Sequence, residues 1–453
     1  MASYALSVVV LAAGKGTRMR SDKPKVLHEV GRRSLLAHVL TTAKALAAQE
    51  IVVVIGPGME AVAAAAQGAV PGVKIAVQEN QLGTGDAVKS ALPKLAASPR
   101  DLLVLYGDCP LVRAETIRSM AREREAGAAI VVLGFRPKDP ARYGRLVTKS
   151  NIEVEKIVEF EDASAAERAI DLCNSGIFLI DGEHAGALLG ALKDNNAKRE
   201  FYLTDIVEIG RGMGLKTRAV EGDPDEVLGI NSRSELAAAE AVFQKRARAA
   251  ALDQGVTMID PETVYLAADT KLGRDVTIEP NVVFGPGVTV EDAVEIAAFC
   301  HFEKAVIRRG VRIGPFARLR PGADIGVSAH IGNFVEVKNA LIEQGAKINH
   351  LTYIGDARVG ERTNVGAGTI TSNYDGFDKH KTEIGANVFV GSHTSLVAPV
   401  KVGDGAYIGS GSVIAKDVEP DALVLTRAEL VEKPGWAARF RARKLAAKQK
   451  SKE

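Results

Sequence analysis

The sequence predicts an α/β protein in which a parallel β-sheet covered by helices is followed by a parallel β-helix. Two observations carry this prediction. In the first half of the chain, continuous apolar segments alternate with helical segments, which is typical of a parallel sheet buried on both faces. After Gly255, aliphatic or Phe residues recur every six positions, a period that fits neither an amphipathic helix nor a heptad.

The composition is that of an ordinary globular protein. At roughly 150 residues per domain, a chain of 453 residues forms two or three domains. Hydrophobic residues make up 46% and charged residues 25%, which excludes wholesale disorder. The 58 Lys and Arg residues nearly balance the 56 Asp and Glu residues, so the formal charge is +2. Such a balance gives no global attraction to nucleic acid or membranes, although it does not exclude local patches.

The N-terminal segment and the cysteines indicate the compartment. The uncharged stretch from Met1 to Gly14 has no preceding basic segment and is too short to span a bilayer, so we interpret it as a buried strand and loop. Cys109, Cys173 and Cys300 are widely spaced and form no CxxC pattern, which argues against disulfides or a zinc site. We therefore expect a soluble, cytoplasmic protein.

The first half contains four strand segments and three helical segments in alternation. The strands are predicted at residues 7–11, 51–55, 73–78 and 102–106, and the helices at 34–48, near 59 and from 84. Ligands of open parallel sheets bind beyond the carboxyl ends of the strands. We therefore expect the glycine-rich loop after the first strand and Asp108 after the fourth to lie at one edge of the sheet.

A change of pattern near residue 231 marks a boundary. Ser232 and Glu235 have the spacing of a capping box, and the Ala-rich helix that they begin ends before Gly255. We interpret the Lys-, Arg- and Ala-rich C-terminal tail as a solvated helix or frayed terminus, with contact to phosphate or nucleic acid as the alternative. The predicted parts are an N-terminal domain at 1–230, a linker helix at 231–250, a β-helix domain at 251–432 and a basic tail at 433–453.

The six-residue period predicts a solenoid of hexapeptide repeats. Each short strand buries one apolar side chain inside a prism, and a small neighbouring residue lets the chain turn the corner. Chance spacing is the alternative, and three long sets argue against it. The six-residue pattern is interrupted between Ile354 and Ile384, so a loop must project there. The sets are Leu272, Ile278, Phe284, Val290, Ile296 and Phe302; Ile313, Leu319, Ile325, Ile331 and Val337; and Ile384, Val390, Leu396, Val402, Ile408 and Ile414.

A glycine-rich loop follows the first strand. Gly14 and Gly16 permit close approach of the backbone to phosphates, while Lys15, Arg18 and Lys25 can neutralise their charge. The segment is neither a P-loop nor a complete GxGxxG motif. From spacing alone, phosphate binding and a purely structural turn remain equal alternatives.

Two oxygen-bearing side chains are candidate metal ligands. Asp108 follows a strand and a glycine, where it could hold Mg²⁺ against phosphate oxygens. Its alternative role is to cap a helix after Pro110. Asn231 could supply a second oxygen, and its alternative role is that of a turn or cap residue.

Several motifs together resemble a known family. They are LAAGKGTRM at residues 11–19, Pro24-Lys25, Gln81 to Gly85, Tyr106-Gly107-Asp108, Tyr143 to Arg145 and Asn174 to Gly176. This set resembles the sugar-1-phosphate nucleotidylyltransferases. Joined to hexapeptide repeats that contain Asn373-Tyr374-Asp375-Gly376, the chain resembles the bacterial bifunctional N-acetylglucosamine-1-phosphate uridylyltransferase / glucosamine-1-phosphate acetyltransferase family, from residue 5 to about residue 430.

The resemblance implies a Rossmann-like nucleotidyltransferase domain with a mostly parallel sheet. This domain would join N-acetylglucosamine 1-phosphate to UTP with release of pyrophosphate, largely by positioning and charge neutralisation. Lys25 and Arg18 would be catalytic, and Asp108 and Asn231 would hold Mg²⁺. The implied nucleotide-sugar ligands are Leu11, Ala12, Ala13, Gly14, Lys25, Gln78, Gly83, Thr84, Tyr106, Gly107, Asp108, Gly144, Glu159, Asn174 and Asn231.

The resemblance implies a left-handed parallel β-helix for the second domain, which would acetylate glucosamine 1-phosphate from acetyl-CoA. His350 would be the base that takes the proton of the attacking amine. Lys379, in the projecting loop, is a candidate to reach a neighbouring subunit. The implied sugar-phosphate ligands are Arg320, Lys338, Tyr353 and Asn364, and the implied acetyl-CoA ligands are Ala367, Asn373, Tyr374, Ser392, Ser410 and Arg427.

The resemblance also implies a homotrimer assembled through the β-helix, small-molecule substrates only, and no nucleic-acid or membrane partner. The product would be UDP-N-acetylglucosamine, a precursor of peptidoglycan and lipopolysaccharide. One alternative is a single-activity nucleotidylyltransferase whose β-helix only assembles or regulates. Another is a non-enzymatic scaffold, against which the joint presence of Lys25, Asp108 and Asn231 argues. Cys109 beside Asp108 is expected to be a small buried side chain without chemistry.

Overall fold

The computed structural model describes residues 5–450 apart from 97–99, 141, 151, 197 and 428. The chain divides into two compact units. The first consists of Met1–Ala251 with Tyr265–Ala268, and the second of Leu252–Val264 with Asp269–Glu453.

A nine-stranded sheet forms the centre of the first unit. Its main path runs β11-β7-β10-β6-β1-β4-β5, and β8 pairs with β10 and β9. The pairs are parallel except around β10 and between β8 and β9, which confirms a mostly parallel sheet. β2 and β3 form a separate two-stranded ribbon. The strands of this unit are β1 (Leu6–Leu11), β2 (Glu29–Val30), β3 (Arg33–Ser34), β4 (Glu50–Ile55), β5 (Lys74–Val77), β6 (Asp101–Tyr106), β7 (Ile130–Phe135), β8 (Arg145–Thr148), β9 (Val154–Val158), β10 (Cys173–Ile180) and β11 (Thr217–Glu221).

Helices cover both faces of this sheet, as predicted. Successive residues of β1 enter different cores: Val8 and Val10 pack in one cluster, and Val9 packs in the other. Such alternation follows from the period of two in a β-strand. The helices of this unit are α1 (Leu35–Ala45), α2 (Glu60–Ala69), α3 (Thr84–Ala91), α4 (Ala114–Glu125), α5 (Ala165–Arg168), α6 (Gly182–Gly190), α7 (Ile206–Gly212) and α8 (Arg233–Asp253).

The start of α8 differs in detail from the predicted capping box. Ser232 Oγ accepts from the backbone N–H of Glu235 at 3.3 Å, as a capping box requires. The Glu235 carboxylate, however, accepts the backbone N–H of Asn231 at 2.7 Å instead of that of Ser232. The backbone N–H of Asn231 therefore takes part in the cap of α8. The alternative role of Asn231 as a cap residue thus applies to its backbone.

The second unit is a parallel β-helix whose short strands all pair in parallel, which confirms the predicted hexapeptide fold. One sheet contains ten strands: Thr257–Met258, Thr277–Ile278, Glu295–Ile296, Arg312–Ile313, His330–Asn333, Lys347–His350, Asn364–Val365, Phe389–Val390, Tyr407–Ile408 and Leu423–Val424. The other contains fourteen: Lys271–Leu272, Val283–Phe284, Thr289–Val290, His301–Phe302, Ala305–Ile307, Arg318–Leu319, Ala323–Ile325, Glu336–Ile342, Tyr353–Val359, Ile370–Ser372, Thr382–Ile384, Ser395–Val397, Val400–Val402 and Val413–Ile414.

Apolar residues of the six-residue period fill the interior of the β-helix. Ile278, Ile296, Ile313 and Ile331 are register partners on successive coils, and each is almost completely buried. Gly332 shows why small residues follow them, because a Cβ at this position would lie 1.9 Å from the backbone oxygen of Asn349 on the next coil. Only glycine permits this approach between coils.

The predicted loop projects between Ser372 and Thr382. Tyr374 and Lys379 form an isolated antiparallel bridge within it. The loop exposes Phe377, which is 92% accessible. The loop therefore carries side chains away from the prism between Thr371 and Ile384, the buried residues on either side of it.

The basic tail contains the helix α9 (Trp436–Lys450), whose described side chains are all exposed. This agrees with a solvated helix, while residues 451–453 of the predicted tail lie outside the described residues. In the described part of the chain, no helix is long and apolar enough to cross a membrane.

Candidate active sites

A cavity of about 480 Å³ lies in the first unit. Its lining includes the chain just after β1 and β6, as expected for a parallel sheet. The predicted ligands that line it are Leu11, Ala12, Ala13, Gly14, Lys25, Gln78, Gly83, Thr84, Tyr106, Asp108, Glu159 and Asn174. Gly107, Gly144, Asn231 and Arg18 were also predicted but do not line this cavity.

The glycine-rich loop leaves the sheet beside this cavity. Gly16 has φ +64°, and a Cβ there would lie 2.5 Å from Lys25 Cβ, so glycine lets the Lys25 side chain pass. Lys15 and Arg18 are exposed, and neither has a hydrogen-bond or ion-pair partner among the residues that the structure describes. Both cations are thus available to an anionic ligand.

Lys25 connects the two candidate metal ligands. Its Nζ donates to Asp108 Oδ2 at 2.5 Å and to Asn231 Oδ1 at 2.9 Å. The side chains of Lys25 and Asp108 are only 11% and 15% exposed, so this contact is largely removed from water. The helix-cap alternative for Asp108 is wrong, because α4 begins at Ala114 with Arg113 as its N-cap.

These two oxygen ligands suit a magnesium ion. A carboxylate and an amide oxygen are hard donors, and Asp108 and Asn231 already converge on one cation. No group of three or more His, Cys, Asp or Glu residues forms a metal site within the described ranges. The protein would therefore contribute two ligands, as is usual for Mg²⁺ bound together with phosphates and water.

Gln78 is fixed at the other end of the cavity. It is 4% exposed, and its Nε2 donates to the backbone oxygen of Gly83 at 2.9 Å and to Asp86 Oδ2 at 2.8 Å. The same carboxylate accepts the backbone N–H of Leu82 at 3.3 Å. Because both amide protons have acceptors, the Gln78 amide oxygen is the atom left to accept a hydrogen bond from a ligand.

A half-buried carboxylate marks a third part of the site. Burial raises the pKa of Glu159, although the charge of Lys198 and a hydrogen bond from the Thr204 hydroxyl oppose this. The backbone N–H of Asn174 donates to the oxygen of Gly144 at 2.8 Å, and Asn174 Oδ1 accepts from Gly176. These residues present carboxylate and amide groups suited to sugar hydroxyls.

In the second unit, His350 ends the strand Lys347–His350 with its imidazole exposed. Its Nδ1 lies 2.6 Å from Asn333 Oδ1 on the preceding coil. Since an amide oxygen can only accept, Nδ1 carries a proton, and the contact selects the neutral tautomer whose lone pair is on Nε2. This is the tautomer in which Nε2 can act as a general base.

Cationic side chains meet on the neighbouring sheet. Arg320 donates to the Glu336 carboxylate at 2.8 Å, and Tyr353 is the register partner of Glu336. The Lys338 side chain lies beside Lys379, and its positive charge lowers the pKa of Lys379. Two facing ammonium groups form a site that favours an anion.

Asp356 holds the amide of Asn373. Asn339 donates to one carboxylate oxygen of Asp356 at 2.6 Å, and Asn373 donates to the other. Burial alone would raise the pKa of Asp356, but these two hydrogen bonds, together with the charges of Lys338 and Lys379, outweigh it and lower the pKa. The carboxylate therefore stays charged and fixes the orientation of Asn373.

The remaining predicted ligands lie in two places. Ala367, Ser392 and Ser410 follow His350 along one edge, linked by the bonds Gly368 N to His350 O, His393 N to Ala367 O and Gly411 N to Ser392 O. Exposed Arg427 lies near this edge, with its guanidinium close to Gly409. Asn364 lies on the ten-stranded sheet and Tyr353 on the fourteen-stranded sheet, so one chain does not gather all predicted sugar ligands on one face.

The comparisons with known proteins cover both units. Residues 8–175 match the MobA-like NTP transferase domain, and residues 381–416 match the bacterial transferase hexapeptide (six repeats). The bifunctional protein GlmU of Paramagnetospirillum magneticum is 55% identical over 99% of this chain and 100% of its own length. Those of Xanthobacter autotrophicus and Azorhizobium caulinodans are 54% and 55% identical, each over 98% of this chain and of their own.

The chain belongs to the GlmU family. The family resemblance of the motifs is confirmed, and the chain is a bifunctional UDP-N-acetylglucosamine diphosphorylase and glucosamine-1-phosphate N-acetyltransferase that serves cell-wall synthesis. Its substrates are small molecules, among them a nucleotide and acetyl-CoA. The single-activity and scaffold alternatives are not favoured, because GlmU proteins match the whole chain.

Sequence reasoning missed a segment of the GlmU chain that lines the nucleotide cavity. Lys198, Glu200, Tyr202 and Thr204 lie there, and burial is the first cause that raises the pKa of Tyr202 to about 12. Backbone bonds tie this segment to the Gln81–Gly85 motif, from Phe201 N to Leu82 O and from Gly85 N to Phe201 O. No local pattern signals this pairing, since it joins segments over a hundred residues apart.

A second cavity, of about 510 Å³, lies in the β-helix beside the projecting loop. Asn339, Asp356, Lys379 and His380 line it, whereas His350 does not. This cavity contains Asp356, which sequence reasoning also missed, and it does not coincide with the edge that carries the predicted acetyl-CoA ligands.

Proposed function

We propose that the two activities are divided between the two units. The first unit would transfer the uridylyl group from UTP to N-acetylglucosamine 1-phosphate, and the second would acetylate glucosamine 1-phosphate. The division supported best places the first activity in residues 1–230 and the second in residues 251–432, with 231–250 as a linker helix and 433–453 as a basic tail.

This proposal rests on the contrast between the chemical groups of the first unit and those of the second. Lys25, Asp108 and Asn231 meet beside a cavity, where they offer an ammonium and two oxygen ligands for a metal that would accompany a triphosphate. The Nδ1 of His350 donates to Asn333, which leaves Nε2 facing away from this contact as the atom that takes a proton from an amine. Each unit thus holds one kind of chemistry.

In uridylyl transfer, a phosphate oxygen of the sugar phosphate attacks the α-phosphorus of UTP, and pyrophosphate leaves. Lys25 and Arg18 neutralise the charge that develops on the phosphates. Asp108 and Asn231 would hold Mg²⁺, which supplies charge neutralisation at phosphate oxygens when bound. The preorganised cations and the fixed backbone after β1 provide most of the catalysis.

The two ends of the nucleotide sugar are read by different groups. Gln78 accepts the N3–H of uracil through its amide oxygen, while Gly83 and Thr84 contact the base. Glu159 accepts hydrogen bonds from sugar hydroxyls, and Asn174 binds the N-acetyl group. The remaining contacts to the nucleotide come from Leu11, Ala12, Ala13, Gly14, Tyr106, Gly107 and Gly144.

In acetyl transfer, the amine of glucosamine 1-phosphate attacks the thioester carbonyl of acetyl-CoA. His350 Nε2 takes the proton that the amine loses, an amide bond forms, and the C–S bond breaks to release CoA. Arg320 and Lys338 hold the sugar phosphate, with Tyr353 and Asn364 around the sugar. The acetyl-CoA ligands are Ala367, Asn373, Tyr374, Ser392, Ser410 and Arg427.

A thiol-release assay tests the second activity directly. Purified protein should release CoA from acetyl-CoA only when glucosamine 1-phosphate is present. His350→Ala should abolish CoA release and leave uridylyl transfer intact, and Asp108→Ala should do the reverse. Loss of both activities from either change, in a variant that keeps its far-UV circular dichroism, would contradict the two-site proposal.

We further propose a cytoplasmic homotrimer assembled through the β-helix. The family match and the hexapeptide repeats support an oligomer. Two subunits would then supply the sugar ligands that one chain separates, such as Tyr353 and Asn364. Sedimentation equilibrium should give three times the chain mass of 47.9 kDa, and a monomer with full acetyltransferase activity would contradict this assembly.

A further inference from the structure

Asn333 and His350 lie next to each other on successive coils of the β-helix. They are 17 residues apart and are register partners of two parallel strands. Gly332 permits this spacing, because any side chain there would meet the backbone oxygen of Asn349. The 2.6 Å contact between Asn333 Oδ1 and His350 Nδ1 thus follows from the stacking of the coils.

We propose that Asn333 is the positioning residue of the acetyltransferase base. Its amide oxygen accepts the Nδ1 proton of His350, which keeps the lone pair on Nε2 and fixes the plane of the ring. The role rests on the proposed function of His350. Partners of this kind behind a histidine set both its tautomer and its orientation.

The backbone and the ring of His350 are held by different residues. The backbone oxygen of His350 accepts from the Thr352 hydroxyl at 2.7 Å and from the Gly368 N–H at 3.2 Å. Among the described residues, Asn333 is the one hydrogen-bond partner of the exposed imidazole. Without it, the ring would rotate and exchange between two tautomers, of which only one has the lone pair on Nε2.

Proton transfer keeps the bond to Asn333 intact. The amine proton moves to Nε2, and the imidazolium that forms still donates its Nδ1–H to the amide oxygen. The uncharged amide orients His350 without the rise in pKa that a carboxylate would cause.

Other ionisable groups near the His350 ring also affect how acetyl transfer depends on pH. His330 lies on the same strand as Asn333 and interacts electrostatically with His350. Lys347 lies on the strand of His350 itself, and His393 lies on a following coil at Gly368. Substitution of Asn333 leaves all three in place, so changes in the profile report on the Asn333–His350 contact.

The test combines acetyl-transfer kinetics with the pKa of His350 in the free protein. Asn333→Ala should lower kcat about ten- to a hundredfold, with little change in KM. Asn333→Asp should raise the pKa of His350 by about one unit or more, which moves the ascending limb of the kcat/KM profile to higher pH. Deuterium exchange at the His350 Cε1–H, followed by mass spectrometry, measures the same pKa without any turnover.

Asn387→Ala is the matched control, because Asn387 also uses a corner amide to accept from another coil, from Arg362 at 2.9 Å. It should leave acetyl transfer unchanged. Wild-type kcat in Asn333→Ala, or an unmoved pKa in Asn333→Asp, would overturn the positioning role. If His350→Ala itself retained acetyl transfer, the proposed function would fail instead, which separates the two outcomes.

Discussion

The ammonium of Lys25 lies 2.5 Å from the carboxylate of Asp108, and the Asn231 amide oxygen completes its coordination. The same two oxygens are the proposed ligands of Mg²⁺. One position can hold either the lysine ammonium or a divalent cation, because two cations at this distance repel strongly. Lys25 must therefore move when a metal occupies these ligands.

This exchange predicts that removal of the lysine charge strengthens metal binding. Lys25→Met should bind Mn²⁺ in the absence of nucleotide at least about tenfold more tightly, since a competing charge that is largely removed from water costs more than about 1.4 kcal/mol at such a distance. The same variant should lose uridylyl transfer. Electron paramagnetic resonance of free Mn²⁺ measures the affinity.

Lys23→Met provides the control for this measurement. Lys23 is an exposed lysine nearby that pairs with Glu29 at 3.4 Å and touches neither ligand. It should leave the Mn²⁺ affinity unchanged. Weaker Mn²⁺ binding in Lys25→Met would contradict the exchange.

The first site could be predicted from sequence where its residues directly follow strands. Gly14 follows β1 and Asp108 follows β6, so the topology of a parallel sheet brings them together. Asp86 and Tyr202 could not be found in this way, because their roles depend on contacts between distant segments. The Asp86 carboxylate acts through Gln78, and the segment of Tyr202 pairs with Leu82.

In the second site, the repeat period of the sequence indicates the position of the residue that stacks on His350 to within one residue, whereas the motifs do not indicate it. A six-residue period with three strands per coil implies that residues about 18 apart stack, and the Asn333–His350 pair is 17 apart. The period alone therefore points to Gly332, 18 residues before His350, and a coil of 17 residues places Asn333 opposite His350 instead. The separation of Asn364 from Tyr353 could not be predicted either, because it depends on which sheet each strand joins.

The Asp86 carboxylate predicts a determinant of base selectivity. Because it can only accept, it holds the Gln78 amide with its nitrogen inward and its oxygen available. Asp86→Asn would remove one of the two acceptors that fix this orientation and leave only the Gly83 oxygen, so a flipped amide, which donates to N3 of cytosine, becomes less costly. The preference for UTP over CTP, measured as a ratio of kcat/KM, should fall about tenfold.

Glu79→Gln serves as the control for Asp86, since Glu79 is an exposed carboxylate one residue from Gln78. It should keep the wild-type preference. An unchanged preference in Asp86→Asn would show that the orientation of Gln78 does not depend on this carboxylate.

Burial of Glu159 predicts a pH-dependent cost in stability. Because burial raises its pKa, the folded protein binds this proton more tightly than the unfolded chain, and stability falls as pH rises from the unfolded to the folded pKa. Glu159→Gln should therefore melt above the wild type at pH 7.5, and the difference should shrink towards pH 4. The KM for N-acetylglucosamine 1-phosphate should rise, because the sugar exchanges a charged carboxylate acceptor for a weaker amide oxygen.

Glu161→Gln is the control for Glu159. A hydrogen bond from Arg142 lowers the pKa of this exposed carboxylate, so its replacement should give no gain in melting temperature at pH 7.5. Differential scanning fluorimetry across the pH range distinguishes the two. A Glu159→Gln difference that grew towards low pH would have the wrong sign for a buried carboxylate.

At Gly332 there is no room for a side chain between two coils of the β-helix. We therefore predict that Gly332→Ala is a strongly destabilising substitution. In Gly332→Ala, the new Cβ would lie 1.9 Å from the Asn349 backbone oxygen, so the coils must separate beneath His350. We expect a loss of more than about 3 kcal/mol in unfolding free energy and loss of acetyl transfer, with uridylyl transfer retained at low temperature.

Gly411→Ala is the control, because it measures the cost of a positive φ without a steric clash. Gly411 has φ +77° but no atom within 4 Å of its Cβ position. That variant should lose only about 1–2 kcal/mol, and equal losses in the two variants, measured by urea unfolding, would show that contact between coils is not the cause.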